Sequence, residues 1–163
     1  MKLKLIGTLM LILVFISCSD QPDTPELTSP GFGVVESVID ARPEGVDIPI
    51  LMKSEDIIKG IQFTLVWDVK KGIVGKPLLT DANASFTLTS SNPSNGRIKV
   101  LIYSMSGDQL DLSDPQILTF PVSIIDQSVT DFTVIFENPI FAGPSASSYT
   151  IPVTHAKMKV KHS

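Results

Sequence analysis

The clearest strand pattern in this 163-residue chain is Gly60-Ile61-Gln62-Phe63-Thr64-Leu65-Val66-Trp67-Asp68. Apolar and polar side chains alternate along it, and successive side chains of a β-strand point to opposite faces of a sheet. The alternation therefore predicts a strand with one face in the core and the other outside it. The core-facing set is Ile61, Phe63, Leu65 and Trp67, and the opposite set is Gly60, Gln62, Thr64 and Val66.

A second alternating segment follows the dipeptide Asn95-Gly96. Asn-Gly is typical of a two-residue hairpin turn, because both of its residues tolerate positive φ angles. We therefore expect a strand from Arg97 to Met105 that starts at this turn. Its inward residues would be Ile98, Val100 and Ile102, and its outward residues Lys99, Leu101 and Tyr103.

Short segments of strand type, separated by turn signals, occupy the rest of the chain after residue 33. This arrangement predicts an all-β fold, an antiparallel jelly-roll β-sandwich of about nine strands. Only Asp108–Asp114 suggests a short helix. The remaining predicted strands are Val34–Ala41, Val46–Met52, Ala84–Thr89, Gln116–Ile125, Asp131–Glu137, Tyr149–Val153 and His155–Lys161.

The N-terminus has the three parts of a secretory signal. Lysines in Met1–Lys4 precede an apolar run from Leu5 to Ile16, and the small residue Ser17 follows. The apolar run is shorter than the ~20 residues that a membrane-spanning helix needs, so the segment is interpreted as a signal peptide, residues 1–17.

Cys18 is the only cysteine of the chain, so it has no disulfide partner within it. Phe15-Ile16-Ser17-Cys18 resembles a bacterial lipobox, which implies acylation of Cys18 after cleavage. The alternative is an ordinary secreted protein with one free thiol. Residues 18–32, rich in proline and acidic or amide side chains, are then predicted to be a disordered tether that joins the acylated cysteine to a domain at 33–163.

Lipoproteins retained in the inner membrane have Asp after the acylated cysteine, whereas this chain has Ser19. We therefore expect a lipid anchor in a bacterial membrane, with the outer membrane or cell surface as the location. The formal net charge of −4 argues against nucleic acid as a partner, because the overall field of the protein would repel it.

The order of the strand motifs resembles that of cohesin domains. The resemblance extends from about Gly33 to Lys161, nearly the whole of the predicted mature chain. The segments that carry it are Arg42-Pro43-Glu44-Gly45, Val46-Asp47-Ile48-Pro49-Ile50, Gly60 to Asp68, Gly96-Arg97-Ile98-Lys99-Val100 and Ile117-Leu118-Thr119-Phe120-Pro121-Val122.

The resemblance implies a nine-stranded jelly roll, a dockerin-bearing protein as the partner and a role linked to polysaccharide catabolism. A dockerin is a small calcium-loaded helical module. In the best-studied cohesins an Asn and an Asp precede the Phe of the third strand and hydrogen-bond the dockerin. This chain has Gly60 and Gln62 at the matching positions, so the contacts of that group are not all reproduced.

No constellation of residues predicts catalysis, a cofactor or a metal. His155 and His162 fall on opposite faces of the last predicted strand, and no Gly-x-Ser-x-Gly motif occurs. The carboxylates in Asp108–Asp114 lack the spacing of an EF-hand loop and are explained as turn formers. The sequence therefore predicts a protein that is not an enzyme.

The predicted partner-binding face consists of Gln62, Thr64, Val66, Lys99, Leu101 and Tyr103. An alternative is that a second layer half-buries these residues. Two rival functions remain: a carbohydrate-binding module, which would need exposed aromatic residues such as Trp67, and a structural adhesin or assembly subunit. Trp67 shares the parity of Phe63 and Leu65, which favours a place in the core.

The last predicted strand carries a row of cationic side chains. Lys157, Lys159 and Lys161 share one face with His155, and Ala156, Met158 and Val160 lie on the other. Lysines on an edge strand discourage pairing with another chain. We interpret this row as the charged outside of a half-buried strand; binding of an anionic polymer is the other possibility.

Overall fold

The computed structural model describes residues 26–36 and 38–162. The predicted signal peptide, Cys18 and the tether up to residue 25 lie outside the described residues. Among the described residues, no helix has the length and apolar character needed to cross a membrane.

The described residues form thirteen strands and two single turns of 3₁₀-helix, at Asp81–Asn83 and Pro144–Ala146. The prediction of about nine strands is lower because several edge segments are only two or three residues long. The strands are β1 Gly31–Gly33, β2 Val38–Ala41, β3 Val46–Lys53, β4 Gly60–Trp67, β5 Gly72–Val74, β6 Leu78–Leu79, β7 Thr87–Ser90, β8 Arg97–Tyr103, β9 Gln116–Ile124, β10 Asp131–Ala142, β11 Ser148–Tyr149, β12 Val153–Thr154 and β13 Ala156–His162.

The strands form two sheets that face each other across one core. Sheet A has the order β12-β1-β3-β9-β5, and β6 also pairs with β9. Sheet B has the order β2-β13-β10-β4-β8-β7, and β11 also pairs with β10. Most pairs are antiparallel, so the predicted all-β sandwich is confirmed; β1–β12 and β2–β13 are parallel.

The two strands with the clearest alternation are found as predicted. On β4, Phe63 and Leu65 are 1% exposed and Trp67 is buried. On β8, the side chains at alternate positions from Ile98 to Ile102 are fully buried. The turn that precedes β8, in the hairpin of β7 and β8, has Asn95 at φ 49° and Gly96 at φ 71°, which are the positive angles that the hairpin requires.

Both ends of the domain cross from one sheet to the other, which the sequence analysis missed. Of the predicted strand Val34–Ala41 only Val38–Ala41 is a strand, β2 in sheet B, and the strand before it, β1 at Gly31–Gly33, lies in sheet A. A Cβ on Gly33 would lie 2.1 Å from the carbonyl oxygen of Thr154, so only glycine permits β1 and β12 to approach this closely. Leu27 and Phe32, assigned to the tether, are buried, so the folded part begins before residue 33.

The C-terminal crossing corrects a second prediction. Tyr149–Val153 is not one strand, because β11 pairs with β10 in sheet B and β12 pairs with β1 in sheet A. Pro152 between them has no N–H for a ladder, and its carbonyl oxygen instead accepts a bond from the Phe32 N–H at 2.9 Å.

The predicted helix at Asp108–Asp114 is absent, and the segment is an irregular loop. An α-helix needs each N–H to donate to the carbonyl four residues earlier. Here the Leu110 N–H donates to the Ile58 carbonyl at 2.8 Å, and the Asp111 N–H donates to Oδ1 of Asn83 at 2.9 Å. Long-range partners therefore replace the helical ones. The strand predicted at Ala84–Thr89 is also displaced, to β7 at Thr87–Ser90.

β10 is longer than the predicted Asp131–Glu137, because a β-bulge carries it through Asn138-Pro139. The register with β4 shifts between Glu137 and Ile140, and Asn138 has φ 49°. Asn-Pro is typical of a turn, so the sequence does not indicate that the strand continues past it. The bulge continues the strand to Ala142.

A cluster of phenylalanine rings joins the two sheets. Phe32 on β1 lies 5.2 Å from Phe63, 5.1 Å from Phe136 and 5.2 Å from Phe141, measured between ring centroids. Phe120 on β9 meets Phe63 at 6.4 Å. Tilted and edge-on pairs at such distances add to the stabilisation that burial gives.

We expect Phe32→Ala to lower the free energy of unfolding by roughly 3–5 kcal/mol, because it leaves a cavity in this cluster. Phe86→Ala is the matched control: Phe86 is 7% exposed and makes none of these ring contacts. Urea unfolding of both variants measures the difference. Equal losses would show that the cluster contributes nothing beyond ordinary burial.

Candidate functional site

The six predicted binding residues lie together on one surface. In the antiparallel register of β4 and β8, Gln62 is opposite Leu101, Thr64 is opposite Lys99, and Gly60 is opposite Tyr103. Directly opposed residues of two strands have side chains about 5 Å apart on one face. We call the solvent-facing side of sheet B the outer face; its members on these strands are Gln62, Thr64, Val66, Arg97, Lys99, Leu101 and Tyr103.

The outer face is open to solvent to different degrees. Lys99 and Leu101 are exposed, and Leu101 keeps 37% of its accessible surface. Gln62, Thr64, Val66 and Tyr103 are half-buried. Half-burial is what neighbouring strands of one sheet produce, since the larger side chains shield the smaller ones.

Two residues of β10 belong to the same face and were missed from the sequence. Ile135 is opposite Val66 and 42% exposed, and Ile140 is opposite Gln62 and 49% exposed. Ile135 alternates in step with the polar residues Asp131 and Thr133, so its outward direction could have been predicted from the sequence. For Ile140 no local signal existed, because the bulge changes the alternation before it.

The bulge lies at the centre of sheet B, since β10 is between β13 and β4. Bulges re-aim side chains and occur often beside functional sites. Asn138 keeps a left-handed backbone there, which costs a non-glycine residue of the order of 1 kcal/mol. The surrounding pairing maintains this conformation and with it the outward direction of Ile140.

A shallow groove of about 300 Å³ runs along the β7 side of the outer face. The Lys99 N–H donates to Oγ of Ser91 at 2.9 Å, and the Ser91 N–H donates to the Lys99 carbonyl at 2.9 Å. This exchange holds the chain beyond β7 against β8. The lining residues are Gln62, Thr89, Ser90, Ser91, Lys99 and Leu101.

Two carboxylates of the outer face are engaged by basic groups. Glu137 on β10 pairs with Arg97 on β8, across Thr64 on β4. Asp131 accepts a bond from Nζ of Lys71 at 2.6 Å. This bond is the main cause of the lowered pKa of the Asp131 carboxyl, and the positive charges of Lys71 and Lys157 add to it.

The residues considered for other chemistry are placed elsewhere. Trp67 is 8% exposed and its Nε1–H donates to the Gly72 carbonyl at 3.1 Å, so it faces the core and offers no sugar platform. Nδ1 of His155 accepts from the Phe136 N–H at 3.1 Å, and Nε2 of His162 lies 2.8 Å from the Val129 carbonyl. Among the described residues, no three His, Cys, Asp or Glu side chains converge as a metal site would require.

Comparison with solved structures identifies the fold. No protein-family model matches the chain, and no curated protein matches it by sequence. The sixth cohesin of scaffoldin B from Acetivibrio cellulolyticus, crystallised with a Cel5 dockerin mutant, superimposes with TM-score 0.66 at 17% identity, over 80% of this chain and 99% of that one.

Two cohesins from outside cellulosomal scaffolds are also similar. The non-cellulosomal cohesin of the archaeon Archaeoglobus fulgidus gives TM-score 0.63 at 12% identity, over 80% of this chain and 91% of its own. The cohesin module of a family 33 glycoside hydrolase from Clostridium perfringens gives 0.61 at 9%, over 83% and 100%. The chain therefore has the cohesin fold, as the motif order implied.

The Lys71–Asp131 bond predicts a measurable pKa change. Lys71→Met removes the donor and the nearest positive charge, so the pKa of the Asp131 carboxyl should rise toward its usual value. NMR titration of the side-chain carboxyl carbons measures it. Asp126 is the internal control, because its pKa is lowered mainly by Ser128 and should stay constant. An unchanged Asp131 titration would contradict this assignment.

The lowered pKa of the Asp131 carboxyl also determines how the stability of the protein changes with pH. A carboxyl whose folded-state pKa is lowered contributes stability above its unfolded pKa and loses it as the pH falls through the folded value. The wild-type protein should therefore lose stability relative to Lys71→Met on acidification below about pH 4, near the usual Asp pKa.

Proposed function

We propose that this chain is a non-catalytic binding module that recruits a protein partner of the dockerin type through the outer face of sheet B. The observation that carries the proposal is the set of exposed apolar side chains on this sheet face: Leu101, Ile135 and Ile140. Each of them belongs to a strand whose other side is fully buried, so packing of the core does not require them to be apolar.

The distribution of side chains agrees with a protein interface. Interfaces tend to have an apolar centre and a polar rim. Here Ile140, Gln62 and Leu101 lie side by side across three strands, and Ile135 is next to Val66. The row Glu137-Thr64-Lys99 lies between these two rows, so each apolar row is bordered by polar and charged side chains. Hydroxyl groups of the β7 side border Leu101.

The likeness to cohesins supports a protein as the partner. The cohesin of Acetivibrio cellulolyticus was crystallised with a dockerin, and other similar cohesins were crystallised as dockerin complexes from Clostridium thermocellum. Gly60 and Gln62 replace the Asn and Asp of the best-studied cohesins, so recognition here would depend more on the apolar centre. A link to polysaccharide catabolism is part of the proposal, and the cohesin module of a glycoside hydrolase has the same fold.

The rival carbohydrate-binding function is less well supported by the site. A flat glycan reader stacks sugar rings on several exposed aromatic side chains. The outer face contributes only Tyr103 among the described residues, and it is half-buried. A structural adhesin would not need an apolar centre at a sheet face with a polar rim.

We also propose that the domain is lipid-anchored through Cys18, at the outer membrane or cell surface. The point where the described chain begins suits a tether. Nζ of Lys53, at the end of β3, donates to the Leu27 carbonyl at 3.1 Å and lies 3.9 Å from Glu26. The described chain thus enters the fold at one end of sheet A.

Binding is tested with a panel of recombinant calcium-loaded dockerin modules by biolayer interferometry. We expect at least one to bind, and Leu101→Ala with Tyr103→Ala to weaken its binding at least roughly tenfold, since apolar residues at an interface centre each contribute on the order of 1–2 kcal/mol. Ile73→Ala is the matched control, because Ile73 is 65% exposed but lies on sheet A.

Two results would contradict this function. Equal loss in the Ile73 and Leu101/Tyr103 variants would place binding away from the outer face. Retention of the protein on insoluble glycan, with no dockerin captured, would favour the carbohydrate-binding alternative. A calcium chelator should abolish dockerin binding without changing the melting temperature of this protein.

The anchor is tested by metabolic labelling with a palmitate analogue. Wild-type protein should be labelled, and Cys18→Ala should not, because Cys18 is the only thiol of the chain. Fractionation of the labelled cells should recover the wild type with membranes and the variant in the soluble fraction. If both proteins are labelled alike, the lipid-anchor proposal fails.

A further inference from the structure

The outer face of sheet B is more positive than the rest of the domain. Its outward side chains on β2, β13, β10, β4 and β8 include five basic and three acidic residues, whereas the whole chain has a formal charge of −4. The other described residues carry twelve acidic and six basic side chains. The basic members of the face are Arg97, Lys99, Lys157, Lys159 and Lys161, and the acidic members are Asp40, Asp131 and Glu137.

The ion pairs of this face engage two of its carboxylates and none of its lysines. Glu137 is engaged by Arg97, and Asp131 by Lys71, which projects from the loop after β4. Among the described residues, no carboxylate lies within 4.0 Å of the amines of Lys99, Lys157, Lys159 or Lys161. Asp40, opposite Lys161 in the register of β2 and β13, is the one acidic member of the face outside these ion pairs. Four lysines against one carboxylate leave the unneutralised charge of the face positive.

The lysine row does not serve to protect a sheet edge, contrary to our interpretation of the sequence. β13 lies between β2 and β10, so it is an interior strand of sheet B. Met158 and Ala156 are buried beneath it, while Lys157, Lys159 and Lys161 point outward at every second position. β2 pairs with β13 from Lys159 to His162, so at Lys159 and Lys161 there is no open sheet edge to defend, and these two lysines need another explanation.

The lysines of β13 lie beside the strand that carries two of the exposed apolar residues. β13 is the neighbour of β10, the strand that carries Ile135 and Ile140. Lys99 lies on the opposite side, on β8. In the strand registers Lys157 is opposite Thr133 and Lys99 is opposite Thr64, so Ile135 and Val66 have a lysine one residue pair away on each side. Ile140 and Leu101 lie farther from the lysines of β13.

We propose that the protein partner of this face presents carboxylates around its own apolar patch, arranged to meet Lys99 on one side and the lysines of β13 on the other. This inference rests on the proposed function and specifies the chemistry of the partner: a dockerin-type module with an acidic docking surface. Charges at the rim of an interface mainly raise the association rate and select among partners.

The test uses the full chain purified in detergent and calcium-loaded dockerin modules of graded surface charge. The variant Lys159→Glu/Lys161→Glu should slow association with acidic modules roughly tenfold or more, and Lys159→Gln/Lys161→Gln should do so less, because like charges at a rim repel. Lys70→Glu/Lys76→Glu is the matched control: it makes the same change in total charge at exposed lysines outside this face and should change the rate less than about twofold.

The salt dependence of the association rate and the preference among dockerins of different surface charge give independent readouts. The difference between the two Glu variants should vanish at about 0.5 M NaCl, where surface charges are screened beyond a few ångströms. Circular dichroism melting curves of all variants verify that they fold. Binding of dockerins without preference for acidic surfaces, or equal slowing in both Glu variants, would overturn the inference and leave the proposed function standing.

Other outcomes separate the two proposals. Failure of every dockerin, acidic or basic, to bind would overturn the proposed function and this inference with it. Capture of polygalacturonate or of anionic phosphatidylglycerol vesicles, lost in Lys159→Glu/Lys161→Glu while acidic dockerins do not bind, would show that the lysines serve a polyanion or a membrane instead. Self-association through this face, without binding of acidic dockerins, would show that the lysines serve contact with a second copy of the chain.

Discussion

The insertion of Phe32 between the two sheets is the contact on which the rest of the fold depends. β1 has only three residues, yet its single aromatic ring touches rings from β4 and from two positions of β10. Gly33, directly after Phe32, lets β1 lie close to β12, which fixes the depth of the ring. The first strand of the domain thereby closes the sandwich around a residue that no single neighbouring strand could bury.

This inward constraint determines the outer face. A strand has a period of two, so burying Phe63 and Leu65 forces Gln62, Thr64 and Val66 outward. On β10 an unbroken alternation from Phe132 would send Phe141 outward and Ile140 inward. The bulge at Asn138-Pro139 reverses this, so Phe141 joins the ring cluster and Ile140 is exposed. The strained backbone of Asn138 therefore serves both the core and the surface.

Sequence reasoning succeeded where structure is local. The alternation of β4 and β8 predicted their core, their turn and the six outward residues that the register brings together. It failed where pairing between distant segments decides: the sheet crossings near Gly33 and Pro152, and the hydrogen bonds of Asn83 that replace a helix. Ile140 and the interior place of β13 depend on such pairings, so the wider extent of the face could not be read from periodicity.

The separation between core and face also explains how one fold can carry different recognition chemistry. Solved cohesins share this sandwich at 9–17% identity, so the fold tolerates replacement of most side chains. Inward positions must still fill the space between two sheets, which restricts them to apolar residues of suitable volume. Outward positions on β4, β8, β10 and β13 meet no such restriction. The charges and apolar groups found there, the lysines of β13 among them, are therefore not determined by packing of the core.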